Sequence, residues 1–296
     1  GDVYKRQINM SFDTKCVPDE LIPYMGLLGS TLSLMDTKNY TYPELTNEIN
    51  INCGGLATGT ALYSDKVDFS KNTIVYEVKS KALYEKVPFV LGMMEEIMYN
   101  TRFDDYKRLK EIIARIKSRL EASLMGQGHS IAMLECCAQF SESAYYSDIL
   151  RGYKYYEFIK KLDEEFEQNK TQIVDKLNKL VGYIFNKDNV IVSLTADDEG
   201  YDCFAKALSA KSCNIKDEHY NTAVRSFIPV NVKTGYTSAS QVQYVARCGN
   251  FVKDGYKYTG ALKVLKVIFS YDYLWINVRV KGGASVSYTH LRAHET

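Results

Sequence analysis

Residues 260–284, GALKVLKVIFSYDYLWINVRVKGGA, join a helix of buried type to a charged residue with no evident structural duty. Leu262, Leu265, Ile268, Phe269 and Leu274 recur along it, with Val264, Val267, Tyr271 and Trp275 beside them, so little polar face remains. Such a segment is expected to lie between a sheet and a second layer. It then runs through Arg279-Val280-Lys281 into Gly282-Gly283-Ala284, where absent or tiny side chains permit a sharp exit and close approach of another backbone. A helix ending this way can aim the Arg279 guanidinium into a cavity, with Gly282 and Gly283 as the backbone that a ligand approaches.

Working outward, the chain alternates strands with a large helical block. Ile8, Met10 and Phe12 alternate at the head of a strand over 8–17. Pro18-Asp19-Glu20 opens a helix carrying Leu21, Met25, Leu28 and Leu32, and Pro43-Glu44 opens a shorter one that stops at Gly54-Gly55. Residues 56–63 and 73–80 read as an antiparallel pair, with Ile74, Tyr76 and Val78 on one face of the second strand. Amphipathic helices follow: Val87 to Met98, Leu109 to Leu120, then 145–166 and 171–185, with a glycine-flanked break at Gly126-Gln127-Gly128-His129. Residues 190–194 read as a buried strand and 201–208 as a closing helix. The polar run over 209–221 reads as a linker, and strand character resumes at 227–232 and 241–247. The fold class is α+β: an antiparallel sheet backed by helices, then the start of a second domain of the same type.

A faint internal repeat supports that restart. ININCGGLATG (49–59) and INVRVKGGASV (276–286) both set a short helix before Gly-Gly and small residues. Aligned on the glycines, Arg279 falls opposite Ile51, so one copy has an apolar residue, expected to pack, where the other has a basic one.

Composition excludes several function classes. A chain of 296 residues with 46% hydrophobic content can build one large or two ordinary cores. Lys and Arg number 37 against 36 Asp and Glu, a net +1, so no global field points to nucleic acid or to a membrane surface. The 24 tyrosines, dispersed along the chain, suit half-buried packing positions with a solvated hydroxyl. Seven cysteines without a C-x-x-C indicate neither a disulfide framework nor a cysteine zinc site, and fit a reducing, cytoplasmic setting. Residues 1–7 (GDVYKRQ) and 286–296 (VSYTHLRAHET) read as translated adapter sequence. His290 and His294, spaced i, i+4 in that tail, are therefore not taken as metal ligands, and the sequence has neither H-x-x-E-H nor G-x-S-x-G.

Two stretches carry a family resemblance. YDYLWINVRVKGGA (271–284) resembles the fourth-domain segment of pitrilysin/insulinase-type zinc metallopeptidases of the presequence-protease branch, where a short helix bears an arginine and the following GGA leads to a tyrosine. Tyr24 to Gly59, with YTYPELTNEININCGGLATG, is similar to the third-domain pattern of a helix, a Tyr-x-Glu-Leu helix and a Gly-Gly entry into a strand. The resemblance implies a peptidase-associated, non-catalytic domain over 8–220 and the start of a second such domain over 221–285. It also implies that zinc is bound outside this chain, in the N-terminal catalytic half of a parent enzyme. By the same resemblance, the parent would enclose and degrade unfolded peptides, with Arg279 as a substrate contact; no catalytic or metal residue is assigned here, and the chain alone should be inactive. The family's tyrosine falls at Ser285, where this sequence departs from the pattern. Two other readings compatible with the residues are a zinc-less structural core subunit of this fold and a plain peptide-binding module.

Overall fold

Ile8, Met10 and Phe12 alternate along the first strand because one face of it is buried, and all three are fully inaccessible. The computed structural model describes residues 6–65, 71–210, 213–237, 242–252 and 254–284. Four strands, β1 (Arg6–Asp13), β2 (Leu56–Ser64), β3 (Asn72–Ala82) and β4 (Val190–Thr195), form one antiparallel sheet in the order β2-β3-β1-β4. Met10 lies opposite Val78 on one side and Val192 on the other, and Thr60 lies opposite Tyr76. The strand starts at Arg6, so Arg6 and Gln7, set aside above as adapter-like, extend it, with Gln7 opposite Lys81 and Thr195. β4 corrects the reading of 190–194 as a buried strand. Among the described residues it pairs with β1 alone, and its exposure alternates up to 70% at Ile191, because only every second residue meets the helices.

Helices cover one face of the sheet. They are α1 (Ile22–Thr31), α2 (Tyr42–Asn52), α3 (Val87–Tyr99), α4 (Tyr106–Gly126), α5 (Gly128–Ala138), α6 (Glu142–Arg151), α7 (Tyr153–Glu164), α8 (Phe166–Ile184) and α9 (Asp198–Ser209). Their starts follow from local chemistry. The Glu44 carboxylate accepts from the Thr41 amide at 2.9 Å and hydroxyl at 2.7 Å, Asp105 accepts from the Arg108 amide at 3.0 Å, and Asp197 accepts from the Gly200 amide at 3.0 Å. The single helix expected over 145–166 is two helices. Gly152 breaks it, and Asp148 Oδ1 turns back to accept from the Lys154 amide at 3.3 Å in the first turn of α7. α1 packs closely on both sides: a Cβ on Gly29 would meet Gly59 Cα at 3.2 Å, and one on Gly26 would meet the Tyr155 ring at 2.7 Å.

After α9 the chain becomes an extended strap over the helices. Lys187 donates its amide to the Lys216 carbonyl at 2.9 Å, and Ala223 donates to the Lys15 carbonyl at 2.9 Å. Arg225 reaches the Thr14 and Val17 carbonyls, and Val230 donates to the Gln139 carbonyl at 2.8 Å. The strands expected at 227–232 and 241–247 do not form among the described residues; Gln241 lies outside them. An extended segment becomes a strand only against a partner edge, and the strap meets helix ends instead. Among the described residues none beyond Cys213 is buried.

Beneath the strap, Asp148 and Glu135 bring two carboxyls together, each with one oxygen buried and without a hydrogen-bond donor. Burial first, and the facing Glu135 second, push Asp148 up to about 6. Lys154 Nζ, 3.5 Å away, opposes this too weakly, since its side chain is 43% exposed and screened whereas Asp148 is not. Between about pH 4 and about pH 6 the unfolded chain has released this proton while the folded chain still holds it, so this group makes stability fall as pH rises. Asp148→Asn keeps the acceptor for Lys154 and adds a donor toward Glu135. Thermal melts from pH 4 to pH 8 are expected to show the variant above wild type at the alkaline end, with a flatter slope below about pH 6. Gly26→Ala is expected to destabilise by about 1–2 kcal/mol in urea titrations, because the clash with buried Tyr155 outweighs a helix-propensity gain of about 1 kcal/mol.

Candidate functional site

Arg279 lies near the end of one continuous helical rod. α10 (Ala261–Ile268) passes directly into a π-helical stretch, Phe269–Lys281, a winding often associated with functional sites. The guanidinium of Arg279 stacks 4.1 Å above the Trp275 ring, a cation–π contact of about 0.5–1 kcal/mol at an exposed position. No carboxylate among the described residues forms an ion pair with it. The fork is thus stacked on an aromatic face, a position that keeps its charge and leaves its N–H donors without a carboxylate partner among the described residues.

The two glycines stop the rod. The amide of Gly283 donates to the Arg279 carbonyl at 3.0 Å, and that of Ala284 donates to the Val278 carbonyl at 3.2 Å. A Cβ on Gly282 would lie 2.6 Å from the Val278 carbonyl oxygen, and Gly283 has φ 73°, so neither position suits a larger residue. In the other copy of the repeat, Gly55 also has positive φ, at 113°. The paired glycines therefore share a backbone device, although Ile51, expected to be a packing residue, is 67% exposed at the end of α2.

The environment of the rod differs from the expectation. Val264 is 61% exposed and Trp275 48%, and Leu265, Val267, Ile268, Phe269 and Tyr271 are exposed too. Its apolar surface meets no sheet among the described residues, and Arg279 itself is exposed. Periodicity reports that a face is apolar but not whether its covering layer is present.

A second surface was not singled out from the sequence. The outer face of the sheet carries Gln7, Asn9, Ser11 and Asp13 of β1 beside Glu77, Lys79 and Lys81 of β3, with Ser193 and Thr195 of β4 opposite β1. Glu77 is 7% exposed and accepts from Asn9 Nδ2 at 3.3 Å and Tyr63 Oη at 2.9 Å, with Lys79 Nζ 2.6 Å away. Burial raises its pKa, but the bonds from Lys79, Tyr63 and Asn9 outweigh it and hold the carboxyl below its ordinary value. The signal in the sequence was the polar set at every second position of β1. Among the described residues no three His, Cys, Asp or Glu side chains gather to hold a metal ion, and His290 and His294 lie outside those residues, as does Ser285.

Comparison with known proteins now fits this geometry. Residues 6–162 match the family model described as "Peptidase M16C associated". The chain belongs to this family. It is 36% identical over 290 residues to Protein HypA of Clostridium perfringens, covering 96% of this chain and 29% of that protein. To presequence protease 1, chloroplastic/mitochondrial, of Arabidopsis thaliana it is 25% identical over 287 residues, covering 96% of this chain and 26% of that one. To the mitochondrial presequence protease of Yarrowia lipolytica it is 26% identical over 274 residues, covering 90% and 27%. The chain thus spans under a third of the length of these relatives. A conserved protein from Enterococcus faecalis V583 shares the fold, with a TM-score of 0.51 at 11% identity over 73% of this chain and 49% of that one. This M16C-associated chain is α+β, as read from its sequence, and is part of an insulinase-family M16 protein.

Trp275 is the single tryptophan, so it reports on the rod directly. Its emission is expected to be that of a solvated indole, readily quenched by acrylamide. Arg279→Ala is expected to change unfolding free energy by less than about 0.5 kcal/mol, as for other exposed positions, in chemical denaturation followed by far-UV circular dichroism.

Proposed function

We propose that this chain forms part of the substrate-enclosing, non-catalytic half of a zinc metalloendopeptidase that degrades unfolded peptides. The observation that carries the reading is the M16C-associated match over residues 6–162, together with relatives named presequence protease. In this reading residues 8–220 are one domain and 221–285 the start of the next. The partner is the N-terminal catalytic half of the same parent protein, and the substrate is an extended polypeptide. No nucleic acid or membrane partner is invoked; among the described residues no helix is long and apolar enough to cross a membrane.

The side chains here do not fit zinc. H-x-x-E-H is absent from the sequence, and the described residues gather no donor set for a metal. In this reading zinc would be held by the catalytic half, where it would polarise a scissile carbonyl, and the role left to this chain is binding. Arg279, stacked on Trp275 and unpaired with any described carboxylate, keeps a permanent charge and several N–H donors for peptide carbonyls. Gly282 and Gly283 keep the backbone beside it free of side chains, so a peptide strand can run close. The seven cysteines, none of them in a disulfide, support a reducing compartment, and we assign the protein to the cytoplasm.

In the zinc-loaded parent, Arg279→Ala is expected to lower kcat/KM for an unfolded peptide roughly ten- to a hundredfold, the loss of about 1.5–3 kcal/mol of charge-assisted hydrogen bonding. Arg279→Lys should recover only part of it, since an ammonium keeps the charge without the planar fork. Zinc occupancy and melting temperature are measured on the same samples. Wild-type kcat/KM in Arg279→Ala would remove the substrate-contact role, and a parent with no peptidase activity when metal-loaded would remove the function itself.

A further inference from the structure

We propose that Cys136 and Cys248 form a redox-sensitive disulfide that fastens the segment leading into α10 onto α5. Nothing in the peptidase reading requires this bond, and it stands or falls without that reading. The strap returns to α5 after crossing the helices: Tyr244 Oη donates to the Met125 carbonyl at 3.2 Å, and its ring lies directly on Gly128, where no Cβ would fit. Four residues later the Cys248 thiol is 3.8 Å from the Met133 carbonyl, one turn before Cys136, and packs against the small cluster of Cys137, Ala138 and Ala144. Cys136 lies on the same stretch of α5 and is near enough to Cys248 for that residue to perturb its thiol. Two neighbouring thiols 112 positions apart in the chain need only a modest approach to reach bonding distance, and a disulfide tolerates a range of Cα separations. That approach costs little here, because residues 242–250 belong to no helix or strand that it would distort.

The neighbouring Cys137 is a poorer partner. Successive residues on a helix point about 100° apart, so α5 directs Cys136 and Cys137 to different sides, and Cys137 is the buried one. The oxidant is a disulfide such as oxidised glutathione. One thiolate of the pair attacks it, forming a mixed disulfide and releasing one glutathione thiolate. The other thiolate then attacks the protein sulfur of the mixed disulfide, forming the Cys136–Cys248 bond and expelling the second glutathione. Two electrons leave the cysteine pair and reduce the oxidant to two thiols, and the two cysteine protons pass to solvent or glutathione.

Burial first, then Cys248 and the charge of Glu135, push the Cys136 thiol up to about 11. Little thiolate is present near neutrality, so the bond forms slowly there and faster as pH rises. Such a pair records sustained oxidation and ignores brief exposure. Once closed, it fixes the strap at Cys248 to α5, ahead of the segment that leads to α10.

The full chain is incubated with oxidised glutathione at pH 8.5 without denaturant, then alkylated with N-ethylmaleimide, digested and mapped without reduction. The expected result is a cross-link between the Cys136 and Cys248 peptides in wild type and in Cys137→Ser, lost in Cys136→Ser and in Cys248→Ser. Oxidised wild type should melt several degrees higher, reversibly with dithiothreitol, and Cys248→Ser should show no such shift. The proposal is overturned if both cysteines are recovered alkylated, if they carry only glutathione, or if the cross-link disappears in Cys137→Ser.

Discussion

The ring of Phe185 is the point on which the folded body turns. It stands at the end of α8 and meets Phe12 of β1 at 5.1 Å, Tyr76 of β3 at 5.5 Å and Tyr99 of α3 at 6.1 Å, each edge to face. Such geometry sets the positive ring edge against a negative face and contributes about 0.5–1.5 kcal/mol per pair beyond burial. More important is which elements it joins. β1 is central yet needs β4, which arrives only after eight helices, and α8 ends where β4 begins. Anchoring residue 185 on β1 and β3 delivers β4 to the open edge of β1. Asn189 then ties the turn down, donating to the Tyr183 carbonyl at 2.9 Å and the Ile184 carbonyl at 3.2 Å.

The same sheet accounts for two surfaces of opposite character. Its inner positions are apolar and dry, whereas its outer positions gather neutral and charged hydrogen-bonding groups around Glu77. A nearly buried carboxylate on a solvent-side face is tolerated because Lys79, Tyr63 and Asn9 satisfy it together. The rod at the other end of the chain has the reverse balance: its apolar surface is uncovered, and its one specialised charge is supported by an indole. A face of that composition is expected to be covered in a longer assembly, in keeping with relatives more than three times the length of this chain.

Element types were legible because periodicity is a local property. Ile8, Met10 and Phe12, and Ile74, Tyr76 and Val78, named their buried face in advance, and Thr41 with Glu44 marked a helix start. The departures share one cause, which is that a partner lies elsewhere in the chain. Residues 227–232 have strand composition but meet a helix end, and 190–194 look buried yet form an edge. The break at Gly152 depends on Asp148 reaching back to Lys154, a contact that helical spacing does not register.

By itself, the sequence determined the α+β class, the inner face of the sheet, the family motifs and the helix-stopping duty of paired glycines, because each depends on residues within a turn or two of one another. Tertiary structure alone decided the surroundings. It set Arg279 on Trp275 at an exposed position, joined Glu77 to Tyr63 and Asn9, and brought Glu135 beside Asp148. It also laid Cys248 on Cys136. Burial, pKa and the pairing of distant groups are fixed by which segments share a volume, and a one-dimensional pattern holds no measure of that distance.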